Sequence, residues 1–248
     1  MAFDVEQSLR RSIESLDLAR VNDQFRGQDE FIFLEESLEP AFVGELVAEV
    51  GRLRRGGFVN RSWVPGYKKG GSVGFFTLRK EAPTMLAFYR SPAFMELISS
   101  LVGRPMYHCP DDDPHACALF LYDEPGDRVG YHYDSCHYKK GMVYTVLVGL
   151  VSRSRSRLSC HLYKERKDRD TVELTLETKP GSMVIFNGCS VYHGTTPLGP
   201  NEERVVFSME FLLNPYMHPV RRLIANVDHA VRYFGASAFW GRKPTERL

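Results

Sequence analysis

Residues 130–138 read GYHYDSCHY and place two histidines, an aspartate and a cysteine within one short stretch. His132 and Asp134 stand two apart. On an extended strand, residues two apart project from the same face. An imidazole and a carboxylate on one face suit a metal ion but leave its coordination incomplete. The stretch VYHGTTPLGPNEERVVF supplies His193 as the candidate third ligand, from another strand. Two histidines and one carboxylate can occupy one face of an octahedron around non-haem Fe(II), with the remaining positions open. Zinc would accept the same donors. Arg204, at the start of the strand that follows, separates the two cases. A guanidinium binds a carboxylate bidentately and never loses its charge, so Arg204 points to a second organic acid beside the metal.

The elements that must position these residues are legible in outline. Val5, Leu9, Ile13 and Leu16 follow helical spacing and predict an amphipathic helix. FIFLEES reads as a short strand, and EPAFVGELVAEVGRLRRGG as a helix closed by Gly56 and Gly57. GGFVNRSWVPGYKKGGSVG has no clear period and reads as a long loop or a set of short strands. PTMLAFYRSPAFMELISSLVG is helical, with Pro92 dividing it. Beyond residue 115 the β-branched and aromatic runs ACALFLY, MVYTVLVGLV, RLSCHLYKE, TVELTLET, SMVIFNG and RVVFSMEFLL read as strands. HPVRRLIANVDHAVRYFG reads as a closing helix. Helices first and many short strands afterwards imply a sandwich or barrel with helices packed outside.

Strand alternation assigns Arg204, Val206, Ser208 and Glu210 to one face, and Val205, Phe207, Met209 and Phe211 to the other. Glu210 would then point into the barrel, where a carboxylate is costly unless paired. It either reaches solvent or a structural arginine, or binds a cationic group on a substrate. Arg79 could hold a substrate carboxylate or be a solvated surface residue. His137 and Tyr138 read as loop wall or substrate contact. The five cysteines form no CxxC pair, which argues against a disulfide framework or a thiolate zinc site and for a reducing cytoplasm.

Composition removes several classes. Hydrophobic residues make up 43% and charged residues 25% of the 248, as expected of a globular protein. A net charge of +1 gives no global field directed at nucleic acid or membrane. No run approaches the length of a membrane span. The opening MAFDVEQSLRRSIESLDLAR has no continuous apolar core and is not read as a signal peptide.

The order HxD, then His193, then Arg204 on the following strand resembles the Fe(II)/2-oxoglutarate-dependent oxygenase superfamily. YDEPGDRVGYHYD is similar to the prolyl-4-hydroxylase-like branch, and this implies that Tyr122 contacts 2-oxoglutarate and that Ser208 lines its pocket. YTVLVGL, PGSMVIFNG and TPLGPNEERVVFSMEF look most like small oxygenases acting on free amino acids, the lysine halogenases and their hydroxylase relatives. In the halogenases a glycine replaces the metal-binding carboxylate. Here Asp134 stands at that position, so hydroxylation is implied.

The resemblance implies a double-stranded β-helix, mainly β with flanking helices in a jelly-roll, cupin-like arrangement. One domain over residues 1–248 is expected, with a helical region over about 1–110, a β-helix core over about 115–215 and a C-terminal helix over about 218–235. It implies that His132, Asp134 and His193 hold Fe(II), that 2-oxoglutarate and O2 are co-substrates, and that His115, Ser135 and Glu210 lie near the substrate. The substrate would be a small amine-bearing molecule, a free amino acid or derivative, with no nucleic-acid or membrane partner. Desaturation, ring closure or epimerisation on the same site, a peptide or protein hydroxylase, and a non-catalytic metal-binding cupin-like protein are the alternatives.

Overall fold

The structure is a computed structural model that describes residues 3–134 and 142–216. The expected C-terminal helix, Ser135, His137 and Tyr138 lie outside the described residues.

The chain opens with α1 (Val5–Glu14) and α2 (Leu18–Gly27). One helix was expected through Leu16. Two form because Asp17 accepts the Arg20 backbone N–H and starts a new helix, as Asp4 does for α1 through Gln7. Then come β1 (Phe31–Leu34), α3 (Pro40–Arg55), β2 (Asn60–Val64), β3 (Lys68–Val73), α4 (Phe75–Glu81), α5 (Pro83–Arg90) and α6 (Pro92–Val102). Pro83 and Pro92 each sit in the first turn of a helix, where the missing N–H is no loss. The strand-rich part holds β4 (Tyr107–His108), β5 (Cys117–Tyr122), β6 (Arg128–Val129), β7 (Val143–Arg153), β8 (Leu158–Leu162), β9 (Val172–Leu176), β10 (Met183–Asn187), β11 (Tyr192–Thr195) and β12 (Glu203–Leu212). Helix α4 falls between two sequence-predicted segments and was not expected.

A large antiparallel sheet runs β1-β10-β7-β12-β5-β3-β2, with β4 on β12 and β6 on β3. A smaller sheet runs β11-β8-β9. The region expected to be helical therefore also supplies strands to both edges of the large sheet. Alternation divides that sheet into two faces. Leu119 and Leu121 of β5, Val146 and Val148 of β7 and Ile185 of β10 face outward into one core with the helices. Leu147, Val184, Phe186 and Val206 face inward and meet Leu158, Cys160 and Leu162 of the small sheet. The interior between the two sheets carries the site. Among the described residues no helix is long and apolar enough to cross a membrane.

Cys109, Cys117 and Cys160 are free and buried. Cys189 is disulfide-bonded, a bond the reading of the cysteines did not anticipate.

Candidate active site

His193 sits on β11, opposite Cys160 of β8. His132 forms an isolated bridge with it: His132 N donates to His193 O at 2.9 Å, and His193 N to His132 O at 3.0 Å. Asp134 N donates to Gly188 O at 2.8 Å. The HxD pair was expected on a continuous strand, but β6 ends at Val129 and single contacts hold the rest. The backbone remains extended enough for the period of two to survive. His132 and Asp134 face inward, while Tyr131 and Tyr133 pack on Tyr192, with ring centres 5.3 and 5.0 Å away.

The ligand atoms of His132, Asp134 and His193 lie within 4.8 Å of one another. Asp134 Oδ1 is 3.5 Å from His132 Nε2 and 3.7 Å from His193 Nε2. The other polar atoms are occupied. His132 Nδ1 bonds Gly130 O at 2.9 Å, and His193 Nδ1 bonds Val191 O at 3.1 Å. With both Nδ1 atoms donating to carbonyls, both Nε2 atoms are left as ligands. Thr145 Oγ1 donates to Asp134 Oδ2 at 2.6 Å, which turns Oδ1 toward the histidines. Gly188 makes room for this: a Cβ there would stand 2.2 Å from Asp134 Oδ2 and 2.8 Å from its Cβ.

Burial alone would raise the Asp134 carboxyl, but His193, His132 and the Thr145 hydroxyl hold it well below its ordinary value. Burial lowers His193 to about 4, so its imidazole stays neutral. A carboxylate and a neutral imidazole are the protonation states that metal ligands need.

The same pocket is lined by Tyr122, Arg204, Ser208, Glu210 and His115. Arg204 is 2% exposed. Its Nε donates to Thr178 Oγ1 at 3.1 Å, and its guanidinium carbon lies 5.3 Å from the Tyr122 ring centre. Among the described residues no carboxylate pairs with it. Burial lowers its pKa, and Tyr122 opposes this. A buried cation without an anion is expensive, so the donor set fits a metal and Arg204 fits an anionic ligand beside it.

Glu210, read as reaching solvent or a structural arginine or as binding a substrate cation, is hydrogen-bonded to His115 Nδ1. Burial lowers the imidazole, but the charge and hydrogen bond of Glu210 outweigh it and raise His115. Arg79 is not brought to the pocket. It is exposed on α4, with its guanidinium 5.6 Å from the Phe75 ring centre. Thr145 was missed, although it is the threonine in the apolar run VYTVLVGLV and shares the inward face of Leu147.

No family model and no curated protein matches the chain. Among solved structures the chain is similar to the non-heme alpha ketoglutarate dependent epimerase SnoN from nogalamycin biosynthesis. The identity is 16% and the TM-score 0.65, over 79% of this chain and 80% of that one. It is also similar to a Pseudomonas putida prolyl-4-hydroxylase, at 18% identity and a TM-score of 0.60, over 79% and 97% of the two chains. A Trichoplax adhaerens prolyl hydroxylase, solved with a hypoxia inducible factor oxygen degradation domain peptide fragment, matches at 14% identity and a TM-score of 0.59, over 89% and 95%. These likenesses are of fold, and they bear out the jelly roll with flanking helices.

Proposed function

We propose that the chain is a single-domain Fe(II)/2-oxoglutarate-dependent oxygenase that hydroxylates an unactivated C–H bond of a small amine-bearing substrate. One observation carries the reading: two imidazole Nε2 atoms and one carboxylate oxygen converge in a pocket that also holds Arg204, a buried cation with no carboxylate partner among the described residues. The fold likeness to SnoN and to the two prolyl hydroxylases supports it.

His132, Asp134 and His193 would hold the iron. Bound there with 2-oxoglutarate and O2, the metal supplies the oxidation of the C–H bond, with succinate and CO2 as co-products. The chain's own groups do the rest. Arg204 takes the far carboxylate of 2-oxoglutarate, and Ser208, on the same strand face, and Tyr122, beside it on β5, shape its place. The Gly130 and Val191 carbonyls fix the imidazole tautomers, and Thr145 fixes the carboxylate. Phe120, Leu147, Leu158 and Val206 line the pocket with apolar surface that excludes water. The His115–Glu210 pair faces the substrate and accepts its ammonium group.

The test is incubation of the iron-loaded protein with 2-oxoglutarate, O2 and a panel of free amino acids, reading succinate and product mass together. The expected result is one succinate per product that has gained one oxygen atom. A product that has lost two hydrogens would make the reaction a desaturation or ring closure. No succinate under any condition would end the oxygenase reading.

A further inference from the structure

Two arginines meet the segment that joins the sheets, and it treats them differently. Residues 177–182 lead from β9 of the small sheet to β10 of the large one. Gly149 of β7 lets this segment come close: a Cβ there would stand 2.2 Å from Lys179 O and 2.5 Å from Thr178 O. Two backbone bonds fasten the approach, Gly149 N to Ser182 O and Gly181 N to Gly149 O, each at 3.0 Å. Glu177 is anchored to the same strand. Ser152, which pairs in register with Arg204, donates from Oγ to Glu177 Oε1 at 3.3 Å, and Arg157 Nη2 donates to Glu177 Oε2 at 3.3 Å. The carboxylate of the segment is thus engaged by Arg157. The next residue, Thr178, is 1% exposed and turns its hydroxyl to the other arginine: Oγ1 accepts Arg204 Nε at 3.1 Å.

A hydroxyl and a carboxylate do different things to a guanidinium. A carboxylate would orient Arg204 and also neutralise it, whereas a hydroxyl orients it and leaves its charge for a ligand. The guanidinium presents its donors in a rigid planar fork. Thr178 holds Nε, and the guanidinium carbon lies 5.3 Å from the Tyr122 ring centre, so two neighbours set the plane of the fork. The edge left to grip a carboxylate with two donors is the one that carries both Nη groups. We propose that Thr178 is a positioning residue for 2-oxoglutarate: through Nε it sets the orientation in which Arg204 takes the far carboxylate, and Gly149 is the gap that lets it reach there. The inference rests on the oxygenase reading and adds to it a residue that does not itself line the pocket. It also gives a reason for a threonine at 178, where an acid would occupy the arginine in place of the co-substrate.

The test uses the full chain loaded with Mn(II), so that binding is read without turnover. 2-Oxoglutarate is titrated by calorimetry into wild type, Thr178→Val and Thr178→Ser, and the Mn(II) affinity of each is read by competition with a chelator. Valine keeps the shape and removes the acceptor, while serine keeps the acceptor. The expected result is that 2-oxoglutarate binds Thr178→Val about tenfold or more weakly, that Thr178→Ser recovers most of this loss, and that Mn(II) binds all three alike. Unchanged 2-oxoglutarate affinity in Thr178→Val, a serine variant as weak as the valine one, or a parallel loss of Mn(II) affinity would each overturn the assignment and leave Thr178 a packing residue. Failure of 2-oxoglutarate to bind the wild type would instead remove the oxygenase reading beneath it.

Discussion

The two faces of β12 are equally buried and do different work. Val205, Phe207, Met209 and Phe211 are fully buried in the core shared with the helices. Arg204, Val206, Ser208 and Glu210 are 2 to 7% exposed and line the pocket. The outer face stabilises the fold by removing apolar surface from water and by close packing. The inner face buries a guanidinium and a carboxylate at a cost in stability. Burial alone does not tell the faces apart. Arg204, a buried guanidinium with no carboxylate partner among the described residues, does.

Substitutions on the two faces should therefore separate stability from function. Phe207→Ala should cost about 3–5 kcal/mol, read from the urea midpoint. Arg204→Met should leave stability unchanged or raise it by about 1–4 kcal/mol, while succinate formation at fixed 2-oxoglutarate falls by about a hundredfold or more. An Arg204→Met protein as destabilised as Phe207→Ala would mean that the arginine is structural, and the contrast between the faces would break.

Lys68 of β3, 2% exposed, adds a comparison through pH. Burial lowers its ammonium from 10.5 to about 7. Between those values the unfolded chain holds a proton that the folded chain lacks, so this group makes stability rise with pH across that window. Below it both states are protonated, and this group no longer makes stability change with pH. Lys68→Met should thus be more stable than wild type near pH 6.5 by a few kcal/mol, at about 1.4 kcal/mol per unit. The gap should close by about pH 10.5. Urea midpoints across this range would check it, and a gap independent of pH would contradict it.

Thr145→Val keeps the side-chain shape and removes the hydrogen bond to Asp134 Oδ2. It should weaken metal binding by about 10- to 100-fold, read by competition with a chelator, with little change in stability. Unchanged affinity would mean that the carboxylate is oriented without it.

Several parts of this arrangement could be read before any coordinates. Alternation along RVVFSMEFLL placed Arg204, Ser208 and Glu210 together, because a strand fixes side-chain direction with a period of two. The HxD pair was legible for the same reason, although only single backbone contacts hold residues 132 and 134, whereas His193 was read as a third ligand supplied by another strand. Pairings across strands were not legible. That Glu210 meets His115, and Asp134 meets Thr145, depends on sheet register and on which strands are neighbours. Lys68 was hidden because GYKKGGSVG has two adjacent lysines and no apolar period to say which faces inward. Of the two readings of Arg79, substrate contact or solvated surface residue, the exposed position on α4 fits the second, and helix α4 itself was not legible.

The central claim is that one pocket holds a metal on His132, Asp134 and His193 and an organic acid on Arg204. The most direct test is calorimetric titration of 2-oxoglutarate into the Fe(II)-loaded protein under nitrogen, with wild type, Asp134→Ala and Arg204→Met side by side. The account expects saturable binding of one 2-oxoglutarate per chain in the wild type and its loss in both variants. Binding that survives both substitutions would contradict it.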